Sequence, residues 1–356
     1  EQMTFLALPY EVGPIRPPSE AASLLIRATR NCPWNKCEFC HIYKEVRFER
    51  RPLEEVLQDI DKAAEFHGDI FQTAFLQDAN SLVMKTEELV QVLSHMKEKL
   101  PSVQRVTSYA RARTVARKSV EELKQLQEAG LTRLHIGLES GYDPLLEYMN
   151  KGVTADLVTE GGKKVVESGI SLCLYVVLGL GGRLMLEGEQ TWRNHALHTA
   201  RVLNAVNPQY IRVRTLTIKP GMPLYQKLLR SEFEESSDAE KVREERLLIE
   251  NLEVTSYFAS DHSTNVLMDV RGQLPDDKEA MLTLMDRYLE LSEEEQLNFR
   301  LGTLFRYLGY QPNYTSFQDF LVPSSRESMA EVVEKLEQEQ PGRARELVAE
   351  FNRMLV

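Results

Sequence analysis

With 356 residues, 42% of them hydrophobic and 27% charged, the chain has room for one large domain and a smaller companion, and the composition of a folded globular protein. A formal charge of −11 argues against bulk binding of nucleic acid, and no apolar run is long enough to cross a bilayer; neither partner is expected, and a cytoplasmic setting is. Four cysteines, three of them within nine residues, do not make a disulfide framework in a chain this long, so the clustered thiols read as metal ligation or redox chemistry.

In chain order, residues 1–20 read as an N-terminal extension. From 21 to 235 β-like runs alternate with helical ones, the signature of a parallel α/β architecture. Strands are predicted at Ser23–Thr29, Gln72–Leu76, Val103–Tyr109, Arg133–Leu138, Ser171–Leu178 and Tyr210–Leu216. Helices are predicted between them at Leu53–His67, Thr86–Leu100, Ser119–Ala129, Thr154–Ser168 and Glu187–Asn204. Pro52 opens the first helix, and Gly68, Gly130 and Gly169 stop three of them. Six strands with intervening helices suit a partial (β/α)6 barrel of the TIM type; they suit a doubly wound open sheet as well, and periodicity does not separate the two. Past Pro220-Gly221-Met222-Pro223 the character changes. The acidic stretch 231–245 reads as holding a linker, and residues 236–356, with helical runs at Glu279–Leu291, Gln296–Leu308 and Arg326–Met354 and no strand alternation, as a small helical domain.

The cysteines read Cys32-Pro-Trp-Asn-Lys-Cys37-Glu-Phe-Cys40-His41 and directly follow the first predicted strand. Three thiolates on one tight loop can bind three irons of a [4Fe–4S] cube and leave the fourth open. Cys37-Glu-Phe-Cys40-His41 also has the letters of a haem attachment site, but that leaves Cys32 without a part and requires export. Zinc on three Cys and His41 asks two adjacent residues to reach one ion, and inert core thiols sit badly beside Lys36, Asn35 and two aromatics. Other strand ends are polar or glycine-rich: Gln77-Asp78-Ala79-Asn80, Glu139-Ser140-Gly141 and Gly179-Leu180-Gly181-Gly182. The first is also a good helix cap, and the last lets a backbone approach a flat ligand closely.

A cysteine loop after strand one, at the face where a β/α barrel keeps its active site, resembles the radical S-adenosylmethionine (SAM) superfamily. The spacing here is C-x4-C-x2-C, where that family usually has C-x3-C-x2-C. The fragment His135-Ile-Gly-Leu-Glu139-Ser140-Gly141 is similar to the branch containing oxygen-independent coproporphyrinogen oxidases, methylthiotransferases and the Elongator catalytic subunit. The resemblance covers roughly residues 21–230 and implies two cofactors, a [4Fe–4S] cluster on Cys32, Cys37 and Cys40, and SAM. It places Phe39 as the aromatic residue before the last cysteine, and Gln77 and Asp78 at the SAM amino group. It places Glu139, with Ser140 beside it, at the SAM ribose, Lys151 at the SAM carboxylate, and Gly179 and Gly181 against the adenosine. The reaction it implies is reductive cleavage of SAM to a 5′-deoxyadenosyl radical that takes hydrogen from a substrate: an anaerobic oxidoreductase chemistry fed by a donor such as flavodoxin or ferredoxin.

Alternate residues of a strand face opposite sides. His135 and Glu139 thus oppose Leu134, Ile136 and Leu138; Tyr175 and Cys173 oppose Leu172, Leu174 and Val176; Arg212 and Arg214 oppose Ile211 and Val213; and Arg27 and Arg111 stand on the polar sides of strands one and three. If the apolar faces pack on helices, the polar faces line the interior, where unpaired charge is costly. One account is a structural network with Glu139 and other acids. The other puts Arg111 at SAM and Arg212, Arg214, Tyr175 and His135 at a small substrate bearing a carboxylate or phosphate. The polar string Ser260–Asn265 reads as a cover for the barrel mouth or as a capped turn. From a different class, the rival is a non-catalytic iron–sulfur electron carrier or binding module; among enzymes, it is an RNA-modifying radical SAM enzyme.

Overall fold

The computed structural model describes residues 8–310, 312 and 314–354. They divide into two compact units, one running up to Leu138 and joined by Asn150–Tyr175, the other formed by Glu139–Met149 with the chain from Val176 onward.

In the first unit the strands lie side by side in chain order: β1 (Leu24–Arg27), β2 (Thr73–Gln77), β3 (Arg105–Ala110), β4 (Leu131–Glu139) and β5 (Ser171–Leu178). The pairs β1–β2, β2–β3 and β3–β4 are parallel. Parallel neighbours need crossovers, and α1 (Leu53–His67), α2 (Thr86–Lys99), α3 (Val120–Ala129) and α4 (Ala155–Glu167) supply them. Each is amphipathic; α1, for instance, buries Val56, Ile60 and Ala63 at helical spacing. Ser119 and Glu122 close a reciprocal capping box on α3, and the Thr154 hydroxyl accepts the Leu157 N–H at the start of α4.

In the second unit the end of β5 is followed by β6 (Tyr210–Thr215), β7 (Tyr257–Ala259) and β8 (Arg271–Gln273). The β7 strand is parallel to β6, and β8 antiparallel to β7. Its helices are α5 (Thr191–Val206), α6 (Asp238–Glu250), α7 (Lys278–Leu289), α8 (Glu293–Tyr307), α9 (Pro323–Glu339) and α10 (Arg343–Met354). Neither unit contains a reversal of strand order. A doubly wound sheet would show one at its switch point, so the fold is a partial (β/α)6 barrel of the TIM type with a helical C-terminal region.

Three expectations for the C-terminal part need correction. It is not purely helical: β7 and β8 are three residues each, too short for alternation to register. Much of the acidic stretch is no linker but α6, whose Ser237–Glu240 capping box and first-turn carboxylates suit the positive helix N-terminus. The run over Arg326–Met354 is two helices, parted at Gln340–Gly342, where Gly342 adopts φ +83. Among the described residues no helix is long and apolar enough to cross a membrane.

Candidate functional site

The cysteine loop leaves β1 through Asn31 and turns again at Asn35, both at positive φ, a conformation that asparagine tolerates better than most residues. Lys44 fastens the loop to itself by donating Nζ to the carbonyls of Asn35 (3.1 Å) and Cys37 (2.7 Å), and the Asn35 amide donates to the Tyr43 carbonyl. Cys32, Cys37 and Cys40 are in no disulfide, and each is partly exposed. Burial pushes the Cys40 thiol up, against the pull of the Ile42 N–H and of Lys44 and Lys151.

A second segment closes on this loop. Trp34 donates its indole N–H to the Asn150 carbonyl (2.7 Å), and Arg111 donates to the Lys151 carbonyl (3.2 Å) while its guanidinium sits 5.2 Å from the centre of the Trp34 ring. Gly152 is required there twice over: its φ is +72, and a Cβ would lie 2.4 Å from the indole. Lys151 Nζ lies 5.9 Å from the centre of the Phe39 ring and acts electrostatically on Cys40. Arg111, whose pKa burial lowers, is acted on by Cys32 and Cys37 in the opposite sense. The structure thus gathers Cys32, Cys37, Phe39, Cys40, Arg111 and Lys151, all expected by sequence, and adds Trp34, Lys44 and Gly152, which sequence reasoning missed. Among the described residues no three His, Cys, Asp or Glu side chains close round a single ion position. A [4Fe–4S] cube takes its thiolates on separate irons, and a loop with three accessible thiols flanked by cations fits it.

The end of β2 departs from expectation. Gln77 is fully buried and spent on the N-terminal segment, accepting from the Gly13 N–H (2.7 Å) and donating to the carbonyls of Gly13 (3.2 Å) and Ile15 (2.7 Å). Asp78 Oδ2 accepts from Arg27 Nε (3.0 Å), Arg27 Nη2 (2.6 Å) and the Asn31 N–H (2.8 Å), so it anchors the root of the cysteine loop. Arg27 also pairs with Glu11 at 2.9 Å. An external anion is therefore not needed to satisfy Arg27: the chain supplies two carboxylates itself.

His135 and Tyr175 fall into a buried network. His135 Nε2 is 3.7 Å from Glu20, and Nδ1 is 3.4 Å from the Tyr175 hydroxyl. Glu20 also accepts from Ser23 (2.5 Å) and Arg105 (3.2 Å). Burial alone would raise the Glu20 pKa, but the nearby His135 ring, the bond from Ser23 and the charge of Arg105 bring it below the usual range. Glu20 precedes β1 and Arg105 opens β3, whereas His135 and Tyr175 lie in the middle of β4 and β5, so the network runs inward from the N-terminal ends of the strands.

In the second unit, Glu139 ends β4 at φ +61. Ser140 is buried, with its Oγ 2.8 Å from His195 Nδ1 and accepting from the Tyr142 N–H (3.0 Å). Gly179 donates its N–H to Glu244 (2.7 Å), which stands 3.4 Å from His195 Nε2. A Cβ on Gly181 would meet Thr191 at 2.8 Å, so that glycine serves the approach of α5 rather than of a flat ligand. Arg212 donates from Nη1 to both oxygens of Asp261 (2.9 and 2.7 Å), a partner provided by the polar string at the end of β7. Arg214 acts on His262, whose pKa burial and that positive charge bring down to about 4. At the C-terminal end of β6 a cavity of about 270 Å³ is lined by Thr215, Thr217, Ser236, Asp238, Lys241 and Arg345 among others. No sequence signal singled out His195, Lys241 or Glu244; they come from helices that only the fold brings to these loops.

Residues 26–189 match the family model described as the radical SAM superfamily. None of the curated proteins compared matches the chain. Among solved structures, it is similar to coproporphyrinogen III oxidase (HemN) from Escherichia coli, with 15% identity and a TM-score of 0.48 over 64% of this chain and 50% of that one. Methylornithine synthase (PylB) is 16% identical with a TM-score of 0.45, covering 83% of each chain. The radical SAM methyltransferase TsrM from Kitasatospora setae is 15% identical with a TM-score of 0.46, over 58% of this chain. The chain spans 39% of TsrM's length. The cysteine loop lies inside the matched segment, which is somewhat less than half of the chain, and it is through that segment that the chain is similar to the radical SAM superfamily.

Proposed function

We propose that this chain is a radical SAM enzyme and that it acts on a small molecule carrying a carboxylate or phosphate. The bound cluster and SAM supply a radical able to take hydrogen from an unactivated carbon. The chain's own part is to hold and orient. Cys32, Cys37 and Cys40 are the cluster ligands, Lys151 and Arg111 the positive charge near them, and Glu139 the residue for the SAM ribose, as the resemblance implies. A flavodoxin- or ferredoxin-type donor and exclusion of oxygen follow from the same reading.

One observation carries the choice of an anion. Beside the cavity at the end of β6, the half-buried carboxylate of Asp238 is shared by two cations, Lys241 at 3.5 Å and Arg300 at 3.0 Å. Burial would raise the Asp238 pKa, but Arg300 and Lys241 outweigh it and keep the group ionised. The cavity wall carries Lys241, Arg345 and Arg353 against the carboxylates of Asp238 and Glu235, an excess of one positive charge even before Arg300 behind Asp238 is counted, and Thr215, Thr217 and Ser236 offer hydroxyls to an anion. Arg212, held by Asp261, is a poorer anchor.

The test is anaerobic incubation of reduced enzyme with small-molecule extracts, following depletion by mass spectrometry. The expected substrate is acidic, and Lys241→Gln should lose its turnover while keeping the cluster and slow release of 5′-deoxyadenosine. A neutral or cationic substrate, or normal turnover by Lys241→Gln, overturns the proposal.

A further inference from the structure

We infer that Glu244, His195 and Ser140 form a buried tether that positions two backbone segments for SAM, Glu139–Gly141 after β4 and Gly179 after β5; this rests on reading the chain as a SAM-binding enzyme. The three side chains are each at most 1% exposed and come from three separate elements. Glu244 on α6 accepts the Gly179 N–H at 2.7 Å and faces His195 Nε2 at 3.4 Å. The other ring nitrogen meets Ser140 Oγ at 2.8 Å, and Ser140 accepts the Tyr142 N–H in turn. One turn along α5, Thr199 accepts the Gly141 N–H at 2.8 Å. With hydrogen on Nε2 the ring donates to Glu244 and accepts from Ser140, so a single tautomer serves the whole chain of contacts.

Serine, histidine and glutamate in this order look like a hydrolytic triad. Ser140 has no exposure and its oxygen is engaged on two sides, so it is not placed as a nucleophile. One end of the array bonds Gly179, at φ +72, and the other end, Ser140, directly follows Glu139, at φ +61. A non-glycine residue at such an angle costs about 1–3 kcal/mol and persists where its surroundings over-determine it. A Cβ on Gly141 would lie 2.3 Å from the His198 carbonyl oxygen, so α5 presses directly on this turn as well as bonding to it. Ser140, His195 and Glu244 are thus positioning residues: they set the conformation of the segment bearing Glu139 and fix its distance from Gly179.

The experiment measures SAM affinity on the cluster-loaded protein by equilibrium dialysis, and the change SAM causes in the resonance spectrum of the reduced cluster. Glu244→Ala should weaken SAM about tenfold, the loss of roughly one buried hydrogen bond, while Glu244→Gln, which still accepts from Gly179, should stay within about threefold. Both should keep the wild-type iron content. His195→Ala and the isosteric Thr199→Val repeat the comparison if Glu244→Ala does not fold. Wild-type SAM affinity in folded Glu244→Ala or His195→Ala, with Glu139→Ala weakened, overturns the tether alone. Unchanged affinity in Glu139→Ala removes the reading beneath it.

Discussion

Arg27 and Arg111 lie in the same unit, at the ends of β1 and β3, and sequence gives them the same description. Their surroundings differ completely. Arg27 is held by Glu11 and Asp78, and through Asp78 by the root of the cysteine loop. Arg111 meets a carbonyl and an indole face, forms no ion pair among the described residues, and stands within the electrostatic reach of Cys32 and Cys37. An arginine whose charge the chain neutralises is scaffold; one left with only dipoles and π-faces is available to a charged ligand.

The largest effect expected on this contrast comes from the thiols of the loop that Arg111 faces. Replacing Cys32, Cys37 or Cys40 by Ala should abolish the cubane absorption and resonance signal of anaerobically reconstituted protein, whereas Cys173→Ala, buried and away from the cysteine loop in sequence, should spare it. A cluster that survives loss of a loop cysteine would sink the ligand assignment.

Next come the two arginines themselves. Arg27→Met leaves the buried Asp78 carboxylate without its cation and should cost about 3–5 kcal/mol in urea unfolding. Arg111→Met removes no ion pair, so its stability should change by less than about 1 kcal/mol, with the loss appearing in SAM affinity instead. Equal destabilisation by both substitutions would erase the distinction.

The smallest effect is a pH dependence of the scaffold. Glu20 has a folded pKa below its ordinary value of 4.5, so it contributes stability above that value and loses it as pH falls through the folded pKa. Unfolding followed by circular dichroism between neutral pH and pH 3 should show this acid-side loss in the wild type and less of it in Glu20→Gln. Identical acid profiles would mean that the Glu20–His135 contact contributes nothing.

The helices between the strands and the strands β1 to β6 were legible because hydrophobic period and glycine stops are local. Strand order was not, since it depends on pairing between distant segments, and β7 and β8 were too short to carry a pattern. Polarity on a strand face correctly indicated groups needing partners, but not which partner. Gln77 is taken by Gly13, 64 positions away, and Arg212 by Asp261, 49 positions away. The gathering of Lys151 with Phe39 followed from resemblance; the reason for it, a glycine that admits an indole, needed coordinates.

The segment from Glu11 to Glu20 bears on how the molecule can be cut. It looks like a dispensable leader to a barrel that begins with β1. Yet it brings Glu11 to Arg27 and Arg30, Gly13 and Ile15 to Gln77, and Glu20 to Arg105 and His135. A chain shortened to start at residue 21 would lose carboxylates that face Arg27, Arg30, Arg105 and His135 and the backbone groups that hold Gln77, a poor candidate for soluble expression. An affinity handle or a protease site belongs before Glu11, and any search for a minimal catalytic fragment has to count these ten residues as part of the barrel.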